Sequence, residues 1–138
     1  MAYSTEDFFP VFKEECGKWL DFFNLKNWEV YITLEKVVTP QEDGSSLVDQ
    51  NLLESRAICR SNRVGKVADI VLNQYWNYEP DEYEVRKCAF HEVCELFLAR
   101  AGSIAFDPKA SDLDWEEEVH SIIRTLENSV FANSATTD

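Results

Sequence analysis

The stretch Phe90-His91-Glu92-Val93-Cys94-Glu95-Leu96-Phe97-Leu98 sets one imidazole and two carboxylates in an apolar surround and reads as a helix. On a helix His91 and Glu95, four residues apart, project from one face, while Glu92 is rotated from His91 by about 100°. The helix has a start signal at Asp81, a side chain that can cap it, with Glu84 three residues on in a box-like arrangement. Gly102 marks its expected C-terminal stop.

Upstream of this helix the pattern changes from helical to alternating. The spacing predicts a first helix over residues 10–23: Pro10 suits the first turn, and Phe12, Cys16, Trp19 and Phe23 form one buried stripe. Trp28 to Glu35 then alternates, with Trp28, Val30, Ile32 and Leu34 inward and Glu29, Thr33 and Glu35 outward, as in a strand. The segment 40–46 reads as a solvated loop, and Leu47 to Glu54 fits no single period. Two further strands are expected at Ser55 to Arg60 and Val67 to Asn73, joined by a hairpin turn at Asn62-Arg63-Val64-Gly65-Lys66. The second is apolar almost throughout, as a more buried strand would be. Tyr75, Trp76 and Tyr78 follow and are read as packing residues.

Downstream, the segment 103–110 reads as a loop, and Ser111-x-x-Asp114 opens a last helix. Its expected buried stripe is Trp115, Val119, Ile122, Ile123, Leu126 and Val130. The resulting fold class is α+β: an N-terminal helix, a three-stranded, mostly antiparallel sheet, then the motif helix and a C-terminal helix. One domain over residues 1–132 and a disordered tail over 133–138 are expected.

Composition narrows the function classes. The 138 residues are 45% hydrophobic, enough for one core, and lack an apolar run near the length a membrane span needs. The N-terminal Met1 to Asp7 is acidic without an apolar run, so no secretory signal and a cytoplasmic location are expected. Against 13 basic side chains stand 26 acidic ones, a formal charge of −13, which repels phosphate backbones and disfavours nucleic acid as a partner. A protein or peptide partner is expected instead. Cys16, Cys59, Cys88 and Cys94 lack C-x-x-C spacing and read as reduced thiols.

The chemistry resides in His91-Glu92-x-x-Glu95. Two histidines a turn apart in His-Glu-x-x-His bind zinc from one helix face, and the glutamate after the first serves as base toward a water at the metal. Here Glu95 takes the second histidine's place, and imidazole and carboxylate are both ordinary zinc ligands. His91 and Glu95 are thus candidate ligands and Glu92 the candidate catalytic base. The last helix offers a third ligand, Glu116 first and His120, four residues on, second. Glu117 points away from the expected stripe and Glu118 lies at its other edge.

In the order of these motifs the chain resembles small zinc metallopeptidases of phages and bacteria, related to minimal gluzincin and SprT-like proteins. The resemblance rests on the first helix, a Trp-led strand (Trp28-Glu-Val-Tyr-Ile), an A-x-I-x-L strand (Ala68-Asp69-Ile70-Val71-Leu72), the His-Glu helix and a closing Glu116-Glu117-Glu118-Val119 helix. It implies a minimal zincin-like fold with zinc held by His91, by Glu95 in the second-ligand place and by a glutamate of the 116–118 cluster. It further implies Glu92 as base, hydrolysis of peptide bonds through a metal-activated water, and a substrate strand along the edge of Val67–Asn73. Two carboxylates and one imidazole bind zinc less strongly than imidazole-rich sets and leave the water less acidic. The alternative is an inactive member of that fold that binds or inhibits another protein.

Overall fold

A computed structural model describes residues 2–37, 55–105 and 107–132. The loop over 40–46, the unassigned Leu47 to Glu54 and the tail over 133–138 lie outside the described residues.

The chain runs β1 (Tyr3–Ser4), α1 (Phe9–Phe22), β2 (Glu29–Glu35), β3 (Ala57–Asn62), β4 (Val67–Asn73), β5 (Tyr75–Trp76), α2 (Glu82–Phe97), α3 (Ala99–Ala105) and α4 (Asp112–Leu126), whose end widens into a π-helical turn at Glu127–Phe131. This is the expected α+β class, with the sheet differing in detail. The strands form two sheets: a three-stranded one in the order β2-β4-β3, and a two-stranded one pairing β1 with β5. The larger sheet is mixed, because β3 pairs with β4 antiparallel while β2 pairs with β4 parallel.

The antiparallel half is set locally. The turn between β3 and β4 closes with the Gly65 N–H donating to Asn62 Oδ1 at 3.1 Å, and Lys66 takes a positive φ of 56°. Strand β4 is therefore central, which explains its near-continuous apolar run: Ala68, Ile70, Val71 and Leu72 are all buried. Its central place also corrects the expectation of a substrate strand along Val67–Asn73, since both of its edges are already paired. Among the described residues the edges lie at β2 and β3.

Register brings one face of the sheet together. Val30, Ile32 and Leu34 of β2 stand opposite Ala68, Ile70 and Leu72 of β4, and Leu72 and Ile70 stand opposite Ala57 and Cys59 of β3. Against this face pack Phe12, Cys16 and Phe23 from the first helical region and Val85, Cys88, Ala89 and Val93 from α2. Trp19 meets Phe90 edge-on with ring centroids 4.7 Å apart, and Phe23 stacks on Phe97 at 4.7 Å. A buried Glu15 joins the two helices through Arg86 at 3.5 Å.

The small sheet fastens the N-terminus to this core. Thr5 is fully buried and its hydroxyl donates to the Asn73 carbonyl at 2.8 Å. Trp76, also fully buried, donates its Nε1–H to the Arg56 carbonyl at 3.1 Å.

Both cap signals operate. Asp81 accepts from the Glu84 N–H at 2.8 Å, although the Glu84 side chain turns to Arg56 instead of completing a box. Ser111 and Asp114 form a full capping box. The motif helix stops earlier than expected, at Phe97, and Gly102 lies inside the short α3.

The orientation of α4 is a further correction. Trp115, Ile123, Leu126 and Val130 are exposed, whereas Glu118 and Ser129 are buried and Ile122 and Thr125 are partly so. Glu118, Ile122, Thr125 and Ser129 follow helical spacing of four, three and four, so the packed face is a seam in which Ile122 is the sole strongly apolar member. It meets Phe23, Leu96 and Phe97 around a pocket of about 260 Å³.

Candidate metal centre

Helix α2 starts at the Asp81 cap and buries Val85, Ala89, Val93 and Leu96. Fixing that face leaves His91 and Glu95 facing solvent one turn apart, with His91 Nε2 3.5 Å from Glu95 Oε1 and side-chain exposures of 68% and 53%. Glu92 is rotated inward and is 5% exposed. Ligand-type atoms of the three side chains all lie within 4.8 Å of one another.

The Glu92 carboxyl is held in an unusual state. Burial, then a hydrogen bond that protonated Glu92 donates to Glu95, then the charge of Glu95, push its pKa from the ordinary 4.5 up to about 8. Its Oε2 is buried without a hydrogen-bond partner. An orphaned, buried carboxylate oxygen costs roughly 1–3 kcal/mol or more, so a fold that keeps one beside a second carboxylate and an imidazole is arranged for a cation or a proton. His91 supplies an imidazole and Glu95 a carboxylate, both ordinary zinc donors, and Glu92 lies within 4.8 Å of them.

The thiols nearby are not part of this donor set. Burial first, and the Glu92 charge second, raise Cys16 and push Cys59 up to about 12. Cys88 is pushed up to about 11, chiefly by burial. All three stay protonated near neutral pH, as expected of packed thiols, and all four cysteines are unpaired by disulfides.

The expected third ligands are placed elsewhere. Glu116 and His120 are exposed on α4 and stand outside the cluster, which among the described residues draws its members from α2 alone. The reason is rotation: Glu118 is the buried residue of α4, and on a helix Glu116 and His120 point about 160–200° away from it. An α4 stripe of Val119, Ile122 and Ile123 would have turned Glu116 inward; the seam through Thr125 and Ser129 turns it out. Glu92 is instead the third carboxylate-or-imidazole group that the fold gathers.

Sequence reasoning missed Arg56 and Lys87. Together with Ala57, Cys88, His91 and Glu92 they line a pocket of about 210 Å³ beside the cluster. No local motif signals them, because Arg56 arrives from the residue before β3 and Lys87 from the turn of α2 before His91.

Compared with protein-family models, with curated proteins and with solved structures, the chain gives no match. Among the described residues no helix is long and apolar enough to cross a membrane.

Proposed function

We propose that this chain is a minimal zincin-like metallopeptidase, in which His91 and Glu95 hold a zinc ion and Glu92 is the proton-transferring group. The observation that carries the reading is the convergence of His91, Glu92 and Glu95 within 4.8 Å, with the Glu92 oxygen left buried and unpartnered. When bound, the ion would supply Lewis-acid polarisation of a peptide carbonyl and acidify a water for attack near neutral pH.

The chain's own groups do the rest. Glu92, kept in its charged form by a cation beside it, takes a proton from the attacking water and returns it to the leaving amine. His91 and Glu95 are on the solvent side of α2, where a substrate backbone has access. Among the described residues strand β3 is an unpaired sheet edge beside the cluster, since Ala57 at its start lines the same pocket as His91 and Glu92. An extended peptide laid along that edge passes the site.

A second reading is favoured by one observation: the cluster has no member from a second element among the described residues. It is a zincin-like pseudoenzyme that binds or inhibits another protein. Incubating the purified chain with an unfolded protein substrate, with zinc and with a chelator, separates the two. Zinc-dependent cleavage abolished by His91→Ala is expected. No cleavage under any metal condition, with partner binding that survives His91→Ala, replaces the first reading with the second.

A further inference from the structure

The pocket beside the cluster has a charge of its own. In a chain of formal charge −13, two cations, Arg56 and Lys87, line one pocket of about 210 Å³ together with His91 and Glu92. We propose that this pocket is a subsite for a carboxylate of the substrate, held by Arg56 and Lys87 next to the scissile bond. The assignment rests on the peptidase reading for the identity of the substrate as a peptide.

Arg56 is built in rather than loosely solvated. Its carbonyl accepts from the Asn73 N–H at 3.0 Å and from Trp76 Nε1–H at 3.1 Å. Its guanidinium is steadied by donation from one nitrogen, Nη1, to Tyr78 Oη at 3.0 Å and to Glu84 Oε2 at 2.9 Å. A guanidinium has five N–H donors, and among the described residues only Nη1 is engaged, which leaves Nε and Nη2 to donate elsewhere. Lys87 is exposed and forms no ion pair among the described residues. A preoriented guanidinium with spare donors beside an unpaired ammonium is the arrangement that carboxylates favour.

Size restricts what enters. The pocket is smaller than the roughly 300 Å³ at which sites for whole drug-sized ligands begin, so it takes one end or one side group of a peptide. Two sources of carboxylate fit: the free C-terminus of a chain, or an Asp or Glu side chain next to the cleaved bond.

The test is calorimetric titration of the metal-free full chain with three probes: N-acetyl-Ala-Ala-Ala, its C-terminal amide, and N-acetyl-Ala-Asp-Ala-amide. At least one carboxylate peptide is expected to bind about tenfold more tightly than the plain amide, as one charge-assisted contact implies. The tighter of the two identifies the source, terminal or side-chain. Lys87→Met, an exposed position whose loss leaves the packing intact, should abolish the preference, and Arg56→Gln with an unchanged melting temperature should do likewise. If all three probes bind alike or not at all, or if Lys87→Met keeps the preference, the subsite is refuted. Turnover and zinc play no part in this readout, so loss of the peptidase reading shows separately, in zinc binding.

Discussion

Glu92→Gln is expected to lower zinc-dependent peptide hydrolysis by about 10²–10⁴-fold while zinc binding is retained, the range typical of losing a positioned general base. Gln has nearly the shape of Glu, so the packing around Val85, Ala89 and Val93 should be kept, and what disappears is the capacity to take a proton. The substituted side chain stands in the same buried place, 5% exposed, against the same face of α2. Assays at saturating zinc, with metal content measured on the same samples, separate loss of base from loss of metal. Cleavage by Glu92→Gln at the wild-type rate would remove Glu92 from the mechanism.

The second large effect is on stability and has a sign fixed by the same residue. In the folded chain burial, followed by the Glu95 hydrogen bond and charge, carries Glu92 up to about 8, against 4.5 when it is ordinary. A raised folded-state pKa means that the native form holds a proton that the unfolded form has already released. The stabilising contribution is therefore complete below about pH 4.5 and is lost as pH rises toward about 8. Metal-free wild type should lose on the order of a few kcal/mol across that interval relative to Glu92→Gln, whose amide does not titrate. Zinc should reverse the loss, because a cation favours the charged carboxylates. Urea denaturation of both proteins between about pH 5 and pH 9, with and without zinc, reads this directly; parallel metal-free curves would contradict it.

Much of the frame was legible because it depends on local pattern. Phe12, Cys16 and Phe23 face the core as their spacing requires, and the caps at Asp81 and Ser111 form where their side chains predict. The alternation in β2 and the hairpin at Asn62 likewise translate into observed pairing. Strand order was not legible, since nothing within β2 says that it pairs parallel to β4 and leaves β4 central. The face of α4 was misread for a different reason. Its seam of Glu118, Ile122, Thr125 and Ser129 carries little hydropathy signal, whereas its exposed Trp115, Leu126 and Val130 carry much. The candidate cluster follows that division: the proximity of His91, Glu92 and Glu95 is set by a single helix and was readable, while the place of Glu116 depended on the rotation of a second.

Glu95 remains the pivotal residue, because an imidazole in its place would convert a His-Glu pair to a His-His pair on the same face. Zinc titration by calorimetry of the purified, metal-stripped wild type, beside His91→Ala and Glu95→His, addresses the central claim most directly. The account predicts one zinc per chain in wild type, loss of that binding in His91→Ala, and binding about 10–100-fold tighter in Glu95→His, the scale on which changes in the ligand environment act. Wild type that takes up no zinc, or His91→Ala that binds it as wild type does, would contradict the account.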